Sequence, residues 1–317
     1  MTSRTVESYR GGTAIHPYEP HVTASDTDAD TETEYRYQKL KWPEINDAAD
    51  AGKMVVVPVG STEDHGPHLP LDVDQVIPET ICEETVRTRD DALLFQTVTN
   101  GFLPHHMDYP GGTTVKWDRF VDYLVDVCVS LAHHGFRKIL LVNGHGSNHH
   151  LVQQAARQVI VQYPEVQCGM ISWWEIKEFQ AAFREHAEAG ARGSGHAGEM
   201  ETSVYLHVDP DAVDMEKAER DISYPTGEHF YAYGLADDPE DVSTNVSMME
   251  WWSTISETGI KGDATVATAE KGRVFVEAAV EGLHSILDEY AEFPIREIDD
   301  HHAREVDDDE YDPFRPR

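Results

Sequence analysis

The stretch Met54-Val55-Val56-Val57-Pro58-Val59-Gly60-Ser61-Thr62-Glu63-Asp64-His65 passes from an apolar, β-branched run into a polar loop opened by glycine. A short run without polar alternation is the pattern of a strand buried on both faces, as strands are inside a parallel sheet. Further runs of this kind stand at 93–98, 138–142 and 166–172, and between them the apolar spacing turns helical near 76–87, 117–134 and 151–162. Strands alternating with helices predict a mostly parallel sheet with helices on both faces, a three-layer α/β/α sandwich. Two more helices are expected at 199–206 and 264–290, whereas the weak periodicity of 208–262 gives no assignment.

In open sheets of this kind ligands gather at the carboxyl ends of the strands, so the loops that follow them are where chemistry is sought. If the chain stays extended past Val59, Glu63 and His65 project to the same side, because side chains alternate with a period of two. Gly66-Pro67 then turns the chain. Asp74, just ahead of a helix, is placed to return its carboxylate to the same point and to bridge two metals. The 138–142 strand leads into Asn143-Gly144-His145-Gly146-Ser147-Asn148, where glycines on both sides of His145 let the backbone pass close to a ligand. A third loop, Gly193-Ser194-Gly195-His196-Ala197-Gly198-Glu199-Met200-Glu201, enters a helix with one imidazole and two carboxylates. His196 is free there to face the site. Glu201 offers a further metal ligand while Glu199 orients water or His196, and the choice between the two glutamates as ligand stays open.

Each of these has an ordinary reading: Glu-x-His is common in exposed loops, Gly-His-Gly is a turn, and His-Ala-Gly-Glu is a helix cap. Three such loops after elements of one sheet supply a full set of nitrogen and oxygen donors, which is the pattern of a metal site. Donors of this type without thiolate suit zinc, manganese or ferrous iron better than calcium or an iron–sulfur cluster. Trp173 and Trp174, just past the 166–172 strand, are expected either to cap a planar substrate ring or, for one of the two, to face the core.

At these residues the sequence resembles the creatininase family, whose members carry Gly-Ser-x-Glu-Gln-His-Gly-Pro-His-Leu-Pro-Leu, then Asn-Gly-His-Gly-x-Asn, then His-Ala-Gly-x-x-Glu-Thr. The match runs in order from Pro58 to Ser203, and Gly262-Asp263-Ala264-Thr265 with Glu270-Lys271-Gly272 looks like the family's C-terminal segment. The resemblance implies two divalent metal ions per subunit, with Glu63, Asp74 and His145 on one and His65 and Asp74 on the other. It also implies His196 as acid or base, His106 lining the pocket, and assembly into trimers or hexamers. Creatininase proper has a tyrosine and a metal-binding glutamate directly after the histidine of its Asn-Gly-His loop, where this chain has Gly146 and Ser147. That departure argues against creatinine as substrate and makes Glu201 the candidate for the missing ligand. The implied activity is hydrolysis of a carbon–nitrogen bond in a small cyclic amide or formamide, with ring opening of a keto-inositol and a noncatalytic metal-binding role as alternatives.

The rest of the chain limits its partners. A formal charge of -34, from 59 acidic against 25 basic residues, repels phosphate backbones and anionic membranes, which leaves a small polar molecule as the expected partner. The same excess of carboxylates predicts a halophilic protein whose self-repulsion is screened by concentrated salt. No apolar run reaches the roughly 20 residues of a membrane span. With Cys82, Cys128 and Cys168 too scattered for a disulfide framework, a cytoplasmic protein is expected. Domain boundaries are read as an acidic, disordered leader over 1–35, a catalytic domain over 36–293 and an acidic tail over 294–317.

Overall fold

The structure, a computed structural model, describes residues 34–224, 229, 246, 248–299 and 301. Most of the expected leader and most of the expected tail therefore lie outside the described residues. One leader position among the described residues, Tyr35, is packed: its hydroxyl donates to Glu83 at 2.7 Å, and its carbonyl accepts from Leu94 N–H at 2.8 Å.

Four parallel strands form the main sheet in the order β2-β1-β3-β4, with β1 at Met54–Val59, β2 at Ala92–Leu94, β3 at Lys138–Asn143 and β4 at Gln167–Ser172. Seven helices accompany them among the described residues: α1 (Trp42–Asp50), α2 (Val73–Val86), α3 (Trp117–His133), α4 (His149–Gln162), α5 (Lys177–His186), α6 (Glu199–Val208) and α7 (Ala269–Glu292). Every residue of β1 is buried, as its unbroken apolar run requires. The period of two divides that run between two cores. Met54 and Val56, with Leu140 and Val142 of β3, pack against Ile77 and Ile81 of α2 and Phe275 of α7. Val55, Val57, Ile139 and Leu141 pack instead against Phe120 and Leu124 of α3 and Val152 of α4. Each such buried aliphatic side chain contributes roughly 1.5–3 kcal/mol, so removing the alternation would expose one face or the other. The result is a helix layer on each side of the sheet.

Three differences from expectation have local causes. The strand expected at 93–98 pairs regularly only at Ala92–Leu94, and Val98 returns to β1 as an isolated bridge. Phe95 and Val98 donate to the carbonyls of Val56 and Pro58, so three steps on one strand meet two on the other, as in a bulge. Helix α1 was not expected: it is only nine residues long and buries only Ala48. Helix α5 was missed although Phe179 and Phe183, one turn apart, are its buried face. Within 208–262 the structure adds β5 (Arg220–Asp221), antiparallel to β6 (Gly262–Asp263).

Candidate metal centre

The carboxyl ends of β1 and β3 meet the first turn of α2, and glycine makes the meeting feasible. A Cβ on Gly144 would lie 2.2 Å from the Asp74 carbonyl, and one on Gly60 would lie 2.6 Å from it. With no side chain at either position the two strand ends close on α2, and Asp74, its second residue, comes to lie among Glu63, His65 and His145. Glu63, Asp74 and His145 each offer a donor atom within 4.8 Å of the others, and so do His65, Asp74 and Glu201. Asp74 belongs to both groups. His196 joins Glu63 and His65 in a third, and Asp64, His106 and His196 form a fourth.

The imidazoles are held from behind. His145 Nε2 lies 3.2 Å from the Phe102 carbonyl, His65 Nδ1 3.4 Å from that of Glu63, and His196 Nε2 2.8 Å from that of Asp64. A carbonyl only accepts, so each of these nitrogens donates, and once the ring is neutral, as metal binding requires, the opposite nitrogen turns a lone pair inward. Support of this kind, with the far N–H given to the protein, is how metal-binding histidines are oriented. The inward atoms lie near one another without aligning as hydrogen bonds. His145 Nδ1 is 3.0 Å from Asp74 Oδ2 and His65 Nε2 is 3.6 Å from Glu201 Oε2. Yet Glu63 Oε2, His65 Nε2 and Asp74 Oδ2 are buried and make no hydrogen bond. Buried polar atoms are seldom left so, and their convergence fits a cation.

The electrostatics ask for the same thing. Burial pushes the pKa of His65 down, but Asp74, Glu201 and Glu63 outweigh it and hold the ring at about 10. His145 is likewise raised by Glu63 and Asp74 against burial. Burial raises Asp74, and the two imidazoles more than reverse this, leaving it low. Glu201 is pushed up to about 7 by burial and by Asp74 and Glu63, with His65 opposing. Buried carboxylates that draw positive charge onto their neighbours in this way make a favourable seat for divalent cations. His196 departs in the other direction: burial, His65 and His106 keep it neutral.

A cavity of about 480 Å³ opens above this cluster, lined by Glu63, Asp74, His106, His145, His196 and Glu201 among others. Trp174 lines it too, but Trp173 does not: it is 1% exposed, stacked edge-on against Phe179 in the core. Glu199 also lies elsewhere. Its carboxylate accepts from the backbone N–H groups of Glu188 and Ala189 and from Lys271 Nζ at 2.6 Å, in the seam between α6 and α7. Residues two apart on a helix do not share a face, so with Glu201 turned to His65, Glu199 faces away. Glu201 also accepts from Ala197 N–H at 2.6 Å, and Ala197 takes φ 53, a left-handed conformation that bends the chain between His196 and α6.

Sequence reasoning missed several residues in and around the centre. Asp64 holds two histidines at once, its side chain 3.3 Å from His106 Nδ1 and its carbonyl bonded to His196. The signal was its place between Glu63 and His65, where the family pattern has glutamine. Ser147, in place of the family's glutamate, lies 3.0 Å from His105 Nε2. Tyr224, Met248, Trp252 and Ile255 come from the stretch without readable periodicity.

Nitrogen and oxygen donors that could hold metal converge at the strand ends of a parallel α/β sandwich, drawn from the loops after β1 and β3 and from the first turns of α2 and α6. The chain belongs to the creatininase family: the family described as creatinine amidohydrolase matches residues 38–287. It is 30% identical over 268 residues to a 3-dehydro-scyllo-inosose hydrolase of Thermotoga maritima, covering 81% of this chain and 84% of that one. It is 33% identical over 230 residues to a mycofactocin precursor peptide peptidase of Mycolicibacterium smegmatis, covering 71% and 80%. A creatinine amidohydrolase of Pseudomonas putida is 26% identical over 269 residues, covering 81% and 96%. A solved manganese creatininase superposes with a TM-score of 0.67 at 22% identity, covering 81% of this chain and 98% of that one, which shows the shared fold.

Proposed function

We propose that this chain is a metal-dependent amidohydrolase that breaks a carbon–nitrogen bond of a cyclic amide or formamide. In this reading Glu63, Asp74 and His145 hold one divalent ion, and His65, Asp74 and Glu201 hold a second. One observation carries it: two donor groups share Asp74, and Glu63 Oε2, His65 Nε2 and Asp74 Oδ2 are buried there without hydrogen bonds. Divalent ions at such a site supply Lewis acidity, which activates water near neutral pH and polarises the carbonyl under attack.

The chain's own residues do the remaining work. His196, anchored through Nε2 to the Asp64 carbonyl, faces Glu63 with Nδ1 at 3.5 Å. From there Nδ1 takes the proton that the attacking water gives up and delivers it to the leaving nitrogen as the carbon–nitrogen bond breaks, a step worth about 10²–10⁴ in rate. His106 and Trp174 orient the substrate from the cavity wall. Zinc and manganese are the favoured ions, in keeping with solved creatininases described as manganese and Zn–Zn forms, and ferrous iron fits the same donors. The identity to an inosose hydrolase supports a second reading, carbon–carbon ring opening of a keto-inositol at the same centre.

Elemental analysis followed by a hydrolysis screen separates these readings. Two equivalents of divalent metal with release of formate or amine supports the first, and acidification only with a keto-inositol replaces it by the second. Metal without turnover of either class leaves a noncatalytic metal protein. We further propose a cytoplasmic, salt-adapted homo-oligomer, trimer or hexamer, which light scattering at high salt tests. No helix among the described residues is long and apolar enough to cross a membrane.

A further inference from the structure

The cavity above the metal centre has two unlike sides. Its floor is the cluster of carboxylates and imidazoles, and beside it the lining includes Tyr224, Met248, Met249, Trp252 and Ile255, with Trp252 stacked on His106 at 4.1 Å. Trp252 and Ile255 pack with Tyr224 in a small apolar core of their own, apart from the two that hold the sheet. That core is braced in place. Trp252 Nε1 donates to the Gly259 carbonyl at 3.1 Å, the Tyr109 hydroxyl to the Ser256 carbonyl at 2.9 Å, and Ser253 N–H to Asp108 at 2.7 Å. At the rim, Met248 and Met249 are 41% and 61% exposed. Methionine adapts its shape to what covers it, and apolar surface gathered beside a pocket is a mark of ligand contact.

The volume, about 480 Å³, lies in the range of pockets that enclose drug-sized ligands. A small polar amide held at the floor leaves the rim at Met248 and Met249 facing water, while Trp252 and Ile255 line the cavity at 7% and 6% exposure. We infer that the amide substrate carries a bulky apolar group, aromatic or branched aliphatic, which packs against Met248, Met249, Trp252 and Ile255. The inference rests on the amidohydrolase reading above and deepens it by naming the substrate's second half. An apolar arm against such a wall raises affinity or kcat/KM by about 10–200-fold, the range found for added hydrocarbon in hydrophobic pockets.

Binding and turnover test the two ideas separately. Hydroxamates anchor on metal whatever their tail, so calorimetry of the metal-loaded protein with acetohydroxamate, isovalerohydroxamate and phenylacetohydroxamate reads the wall directly. Affinity rising at least tenfold from the first to the last is the expected result. Formate release from N-methylformamide, N-isobutylformamide and N-benzylformamide is expected to rise in the same order. In Met249→Ser and in Ile255→Ala the benzyl-to-methyl ratio should fall severalfold, and Met249, being exposed, makes the first variant safe for folding. Hydroxamates that bind equally well whatever their tail overturn the inference and leave amide hydrolysis standing. If no hydroxamate binds and no formamide is cleaved, the amidohydrolase reading falls and the inference with it.

Discussion

Glu199 and Glu201 stand two residues apart in α6 and have opposite surroundings. Glu201 faces His65 and Asp74 across the cluster, while Glu199 is bonded to Lys271 and to two backbone N–H groups. Conservative amide variants should separate these roles. Glu201→Gln is expected to lower bound metal from two equivalents toward one, by elemental analysis after dialysis, with little change in unfolding midpoint for the metal-free protein. Glu199→Gln should keep its metal and lose stability. Removing one member of a buried ion pair typically costs about 3–5 kcal/mol, and because Lys271 retains Glu188 at 2.7 Å the loss should be nearer roughly 2–3 kcal/mol in urea unfolding. Metal lost from Glu199→Gln instead would mean that the seam between α6 and α7 opens onto the centre.

At the scale of elements, Asp221 at the end of β5 pins the loop that carries the cavity wall. Its carboxylate accepts from the hydroxyls of Ser223, Ser256 and Thr258 and from Glu257 N–H. Burial pushes its pKa up, and these donors together bring it down to about 2 from an ordinary 3.8. A carboxylate lowered on folding stabilises the folded chain above its unfolded pKa, and the contribution is lost as pH falls through the folded value. At neutral pH this amounts to roughly 2 kcal/mol, gone between about pH 4 and pH 2. Asp221→Asn should therefore be less stable than the parent at pH 7, with the gap closing below pH 4. A gap that stays constant with pH would assign the loss to packing rather than charge. This same region was the least legible in the sequence. Glu63, His65, Asp74 and His145 could be read because strand-end loops sit beside sharp hydrophobic runs and carry glycines where backbones must close. The wall around Trp252 follows neither a helical nor a strand period, being held by side-chain-to-backbone bonds between distant loops. Trp173 and Trp174 were undecidable for a related reason: adjacent residues point apart, and only the packing of Phe179 chooses which one enters the core.

For the whole molecule the ruling quantity is charge. With 59 acidic and 25 basic residues, even complete pairing leaves 34 carboxylates unmatched. Several ion pairs that do form are local and exposed, such as Arg273 with Glu270 and Glu277 one turn away, and such pairs contribute at most about 1 kcal/mol each. The long-range repulsion is therefore uncompensated by structure and must be met by solvent ions, whose screening length shrinks from about 30 Å at 0.01 M to about 3 Å at 1 M. The melting temperature should accordingly climb steeply with potassium chloride from dilute buffer to about 1 M and then flatten. Salts that act by exclusion from the surface keep stabilising as they are added, and sucrose, an uncharged excluded solute, should not reproduce the early rise. Removing metal with a chelator should lower the whole curve while preserving its shape, because carboxylates such as those of Glu270 and Asp288 are exposed and those of Glu63, Asp74 and Glu201 are buried. A salt response that disappears on chelation would place it in the metal centre, and full stability in dilute buffer would remove the halophilic reading altogether.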